Sequence, residues 1–289
     1  MRTLRSGFAA ILFLGTLHIG FARPACGAEE AINPADDVPA PTAVMVSPLR
    51  ISINIPAREL TLFENDRVVA QYPVAIGAPA YKSIVMDDQI TRIEWNPWWY
   101  PPPSPWAAGA SVTPPGPGNP LGPVKLPLGQ GIRIHGTNKE SSVGTAASHG
   151  CFRMRNRDAT ALAWYLQTRL TMQSDPALLE KYRRNRGSTF IVNLDQSVPV
   201  NVIYATAVVQ DGVLHLYRDV YRKVRDWFTP VTTALEQSGI RTDQLPPERL
   251  NELRQQLRKG DLHIPIHELL EAPMAAYAPV AETAAIPSR

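Results

Sequence analysis

Two histidines, a cysteine and several small residues crowd into one stretch of this chain. It reads His135-Gly136-Thr137-Asn138, then Ser148-His149-Gly150-Cys151-Phe152-Arg153-Met154. Cysteine and histidine together supply a nucleophile and a base: the thiolate is the reactive form, and a nearby imidazole can generate or stabilise it. Gly150, just before Cys151, lets the backbone turn sharply and bring amide N–H groups close to a reacting carbonyl. Arg153 lies two residues past Cys151. In an extended segment both side chains leave the same face, so a cation flanks the thiol, and its guanidinium can grip a substrate carboxylate in a two-pronged contact. Either His135 or His149 can be the base on these grounds. A metal held by His135, His149 and Cys151 would need a fourth ligand or an open position. No second nearby cysteine or carboxylate motif offers one, so the stretch reads as metal-free.

The surrounding elements must hold these groups in place. Ile132 and Ile134 share one face of a short strand, so Arg133 and His135 share the other, and Gly136 starts the departing loop. After Cys151, Asn156 or Asp158 can cap a helix whose apolar stripe is Ala159, Leu162, Ala163, Leu166 and Leu170. Upstream, Leu49, Ile51, Ile53 and Ile55 alternate with polar residues, and Leu60–Phe63 and Val68–Ile76 continue a strand meander. The segment 96–123 is rich in Pro and carries Trp98, Trp99, Tyr100 and Trp106, a composition suited either to a lid or wall over a cleft or to a proline-stiffened loop whose aromatics cover one end of a sheet. Downstream, Phe190–Leu194 reads as a strand, and Val200–Val209 and Val213–Tyr217 flank a hairpin turn at Asp211-Gly212. No internal repeat and no glycine-rich phosphate loop is present, and no cofactor is expected.

The 289 residues allow one good-sized domain with an appendage, and 44% hydrophobic residues suffice for a core. A net charge of +3, spread thinly, gives no case for nucleic acid. Arg2 and Arg5, the apolar run 7–22 and Cys26-Gly27-Ala28 read as an export signal cleaved after Ala28, with an uncleaved anchor as the alternative, for which the run is short. Cleavage there leaves Cys151 as the sole thiol in the periplasm or cell envelope. The expected organisation is a signal peptide at 1–28, a linker at 29–48 and a catalytic domain at 49–217 with a helical insertion near 156–187. A helical extension at 218–264 and a flexible Ala/Pro-rich tail at 265–289 follow.

Taken together, His135-Gly136-Thr137-Asn138, Val143-Gly144, the Ser148–Met154 signature and Asp158 resemble the L,D-transpeptidase catalytic domain of the YkuD type. The similarity runs over about 49–209 and includes Pro114-Pro115-Gly116 and Asn119-Pro120-Leu121-Gly122; Arg153 stands where some relatives carry Asn. The resemblance implies a mainly β fold, a YkuD-like β-sandwich or barrel with one or two packed helices. It implies Cys151 as nucleophile, His135 as base with its imidazole oriented by the Gly136 carbonyl, and His149 beside them. Arg153, Ser148, Gly150 and Thr137 are then the expected substrate-binding residues. The implied donor and acceptor are stem peptides of peptidoglycan, with a wall-anchored protein as a further acceptor. Two other functions use the same residues: a cysteine L,D-carboxypeptidase or amidase, in which water replaces the amine, and a non-catalytic wall-binding protein.

Overall fold

The computed structural model describes residues 47–245 and 247–270. The expected export signal, nearly all of the linker and the tail beyond 270 lie outside the described residues.

Alternating apolar residues build the sheet. In β1 (Leu49–Asn54), Leu49, Ile51 and Ile53 are buried, and Leu60 and Leu62 of β2 (Glu59–Glu64) join them. β3 (Arg67–Pro73) completes the meander, and β4 (Ile76–Gly77) is a short separate strand. β5 (Met86–Trp95), β6 (Val124–Pro127), β7 (Arg133–His135), β8 (Ala146–Ser148) and β9 (Phe152–Arg153) follow. Helices α1 (Asn156–Leu170) and α2 (Pro176–Arg184) precede the long strand β10 (Phe190–Ile203). β10 fuses two expected strands: a register shift between Asn193 and Val198 absorbs Asp195-Gln196-Ser197, which break the alternation.

The fold is mainly β. Eight strands form one sheet in the order β3-β2-β1-β10-β5-β6-β7-β9. β1–β10 and β7–β9 are parallel pairs; the others are antiparallel. The sheet curls until its ends meet. Ala75, two residues past β3, exchanges backbone hydrogen bonds of 2.8 and 3.1 Å with Arg153 of β9, and β4 pairs with β8. Helix α1 lays its stripe of Ala159, Leu162, Ala163, Leu166 and Leu170 on the core.

The start of α1 departs from the sequence reading. Neither Asn156 nor Asp158 caps it. The Asn156 carboxamide oxygen instead accepts from Thr137 N at 2.8 Å, and Glu140 Oε1 accepts the Asn156 N–H at 2.8 Å. Asp158 pairs with Arg155 and Arg157.

The C-terminal part has its own core. β11 (Ala207–Gln210), β12 (Val213–Leu216), α3 (Phe228–Gln237), α4 (Pro247–Leu257), β13 (Leu262–Pro265) and α5 (Ile266–Leu270) bury Leu214, Leu216, Leu235, Leu253 and Leu269 together. This corrects three expectations. The 218–264 extension is not all helix, because Leu262–Pro265 is a strand paired with β12. The tail does not begin at 265, because α5 buries Leu269 completely. Nor is the extension helical from its start at 218: its first helix begins only at Phe228, where Asp226 accepts from the N–H groups of Phe228 and Thr229. Pro230 therefore falls in the first turn, where its missing N–H is not needed. The Asp211-Gly212 hairpin joins this second core rather than the main sheet.

Candidate active site

The parallel pairing of β7 with β9 assembles the site. Its register sets Ile134 against Phe152 and His135 against Arg153. Ile134 and Phe152 are wholly buried in the core. Strand alternation then sends Arg133 and His135, with Cys151 and Arg153, to the opposite face. Four residues with chemical capacity thus converge because two apolar neighbours are pulled inward. Cys151 is half-buried. Its Sγ lies 3.9 Å from Arg133 Nη1 and 3.8 Å from the Gly131 carbonyl oxygen.

His135 is only 5% exposed. Its Nδ1 lies 2.5 Å from the Gly136 carbonyl oxygen. A carbonyl can only accept, so Nδ1 carries the proton and Nε2 keeps its lone pair. Burial pulls the imidazole pKa down to about 3; Arg153, Arg133 and Lys125 push the same way, and the Gly136 bond opposes them. The resting imidazole is neutral, the form that can accept a proton. Gly136 is itself fixed. Its N–H donates to Val124 O at 3.0 Å, and a Cβ there would fall 2.5 Å from Asn156 Oδ1 and 2.9 Å from Pro123 Cδ. Met154 N donates to His135 O at 2.8 Å, tying β7 to the segment past the thiol.

The turn before Cys151 depends on Gly150, whose φ of +106° favours glycine. Ser148 Oγ accepts from Gly150 N at 3.0 Å and donates to Cys151 O at 2.6 Å. Ser148 and Thr137 were expected at the substrate, yet both are 1% exposed. The Ser148 hydroxyl is spent within the turn, and Thr137 Oγ1 accepts from Lys139 N at 3.0 Å. Gly150 is buried too, with its carbonyl engaged by Ser83 Oγ at 2.8 Å. These three residues shape the site from behind.

His149 is exposed and sits between aromatic rings. Trp106 stacks on it face to face, with centroids 3.9 Å apart and planes 6° from parallel; Tyr81 meets it edge-on at 4.7 Å. Burial by these rings, then the charges of Arg153 and Lys139, lower its pKa. The Pro-rich segment therefore reaches the nucleophile turn through Trp106, whereas Trp98 and Tyr100 stack on each other and stay exposed. Sequence reasoning did not single out Arg133, Trp106 as the partner of His149, or Asn156 as a brace for the base. For Arg133 a signal existed, since it lies one alternation from His135. A cavity of about 530 Å³ opens elsewhere, between α1, α2 and the Pro-rich segment, and meets the site's supporting residues at Asn156 and Pro123. Among the described residues, no three His, Cys, Asp or Glu side chains cluster to hold a metal ion.

A curled β-sheet thus brings a thiol, a buried neutral imidazole and two guanidinium groups to one face, from β7 and from β9 with the residue before it. The family model of the L,D-transpeptidase catalytic domain, YkuD, matches residues 48–192, and the chain belongs to this family. It is 35% identical over 122 residues to the YkuD protein of Bacillus licheniformis, whose name assigns it provisionally as an L,D-transpeptidase; the match covers 40% of this chain and 59% of that relative. It is 48% identical over 48 residues to YbiS of Escherichia coli K12, provisionally named likewise, covering 17% of this chain and 16% of YbiS. An L,D-transpeptidase structure from Mycobacterium smegmatis aligns over 54% of this chain and 59% of its own, with 15% identity and a TM-score of 0.36.

Proposed function

We propose that this protein is a cysteine L,D-transpeptidase acting on peptidoglycan stem peptides. The observation that carries the reading is the β7–β9 register, which puts Arg133, His135, Cys151 and Arg153 on one face with a neutral imidazole. In the proposed reaction Cys151 Sγ attacks the carbonyl of the diamino acid at stem position three while His135 Nε2 takes the thiol proton. The carbonyl electrons move to oxygen, and the backbone N–H of Cys151 stabilises that oxyanion. The C–N bond then breaks, the terminal D-alanine leaves with the proton from His135, and a thioester remains. The amine of a neighbouring stem, or of a wall-anchored protein, attacks the thioester and gives its proton back through His135 to the thiol. With a stem acceptor the product is a 3→3 cross-link.

The test is incubation of the purified protein with tetrapeptide-containing wall fragments, read by mass spectrometry. A thioester on Cys151 followed by dimers is the expected result. Trimmed monomers without dimers would make it the hydrolase; no thioester and no product would leave a wall-binding protein. We place the reaction outside the cytoplasm, on the strength of Arg2, Arg5 and the apolar run before Ala28. N-terminal sequencing of envelope protein should find a start near Glu29, and a retained Met1 on cytoplasmic protein would overturn the export reading.

A further inference from the structure

Tyr221 lies beyond the residues matched by the family model. Yet it is 4% exposed and belongs to the main core, not the C-terminal one. Its hydroxyl accepts from Ser83 N at 3.0 Å and donates to Gly77 O at 2.7 Å. Ser83, also buried, closes the same turn with its side chain: Oγ accepts from Gly77 N at 2.9 Å and donates to Gly150 O at 2.8 Å. The turn is too tight for a side chain at 77, where a Cβ would fall 2.0 Å from Tyr81 O and 2.5 Å from Ser83 N. Buried hydrogen bonds thus lead from the Tyr221 phenol to the carbonyl just before the nucleophile. Tyr221 is anchored in turn, since its N–H donates to Tyr204 Oη at 2.8 Å and that hydroxyl bonds Asp219.

Peptide planarity turns this chain of contacts into control over chemistry. The Gly150 C=O and the Cys151 N–H belong to one rigid trans unit and point in opposite directions. Holding the carbonyl on Ser83 aims the N–H away from Ser83. Ser148 fixes the peptide units on either side by holding Gly150 N and Cys151 O. We propose that Tyr221, acting through Ser83, is a positioning residue that aims the Cys151 N–H at the oxyanion of the tetrahedral intermediate. The inference rests on the acyl-enzyme reading above. It makes a residue beyond the matched catalytic domain part of the apparatus that supports catalysis.

Two reactions of the same thiol separate positioning from folding. Acylation by a carbapenem passes through an oxyanion; alkylation by iodoacetamide displaces iodide at a saturated carbon and forms none. In the full chain, Tyr221→Phe and Ser83→Ala should each slow carbapenem acylation about tenfold or more, as small misplacements of catalytic groups do. Alkylation should stay within about twofold, with an unchanged pH profile. The double variant should be no slower than the slower single one, since both cut one chain of contacts. Unchanged acylation, or acylation and alkylation falling together, would overturn the proposal. If Tyr221→Phe does not fold, Ser83→Ala carries the same comparison. A wild-type protein that a carbapenem does not acylate on Cys151 would instead overturn the acyl-enzyme reading, and this inference with it.

Discussion

Arg133 stands across the parallel β7–β9 pair from Cys151, with its Nη1 3.9 Å from the sulfur. In the proposed reaction this arginine, rather than Arg153 alone, would meet the charge on the attacking sulfur. Arg133→Gln should slow iodoacetamide alkylation of Cys151 at neutral pH about tenfold, and Arg133→Lys should recover much of that loss. Stopped-flow or mass-resolved labelling measures both. An Arg133→Gln rate equal to wild type would leave the charge on sulfur to Arg153.

The buried His135 makes stability depend on pH. The His135 pKa is about 3 in the fold and near the ordinary 6.5 in the unfolded chain. Between those values the unfolded state binds the extra proton. The stability is therefore fully present above about pH 6.5 and is lost as pH falls toward 3. This residue should cost roughly 2 kcal/mol between pH 7.5 and pH 5. Urea unfolding at the two pH values checks it: His135→Gln should show a smaller loss than wild type, and an equal loss would mean another group sets the dependence.

Trp106 stacks on His149 and so fastens the Pro-rich segment to the nucleophile turn. A stacked aromatic pair contributes about 0.5–1.5 kcal/mol beyond its buried area. Trp106→Ala should raise the tetrapeptide concentration for half-maximal acylation by about three- to tenfold, with iodoacetamide alkylation unchanged or faster. If tetrapeptide saturation does not move, the segment is no wall of the cleft.

The C-terminal core should melt from its end. Leu269 is fully buried where the sequence suggested loose tail. Leu269→Ala should cost about 2–5 kcal/mol of the stability of that part, as a buried leucine does. Asp261 links this part to the main sheet by accepting from the Arg58 guanidinium and from Arg218 N. Hydrogen exchange in 207–216 and 228–270 should therefore quicken more than in β1 or β10; uniform quickening would mean a single cooperative unit.

Local patterns were legible in the sequence, and distant pairings were not. The alternation of Leu49, Ile51 and Ile53 exposed β1, and the Ile132/Ile134 pair placed His135 on the face away from the core. The α1 stripe is likewise buried. These features are written within a few neighbouring residues. Asn156 looked like a helix cap because its better partner, Thr137 N, lies nineteen positions away. Ser83 and Tyr221 carry no local sign of Gly150, since only the closed sheet brings them near it. β13 and α5 are too short, at four and five residues, to show a period.

His135 is braced from behind, and that brace can be broken by one methyl group. Asn156 Oδ1 occupies the space beside Gly136, where a Cβ would fall 2.5 Å from it, and the same oxygen holds Thr137 N at 2.8 Å. Gly136→Ala must therefore push either Asn156 or the 136–137 backbone aside. The Gly136 carbonyl that fixes His135 Nδ1 would move with that backbone. Carbapenem acylation of Gly136→Ala should fall about ten- to a hundredfold, while iodoacetamide alkylation changes less. Asn156→Ala alone gives up the Thr137 bond and should slow acylation more mildly. Combining the two makes room for the methyl group, so the double variant should acylate faster than Gly136→Ala alone, a non-additive result. The rescue should be partial, because Pro123 Cδ would still lie 2.9 Å from the new Cβ. A double variant slower than both singles would show that Asn156 does not crowd the base, and that Gly136 is needed for another reason.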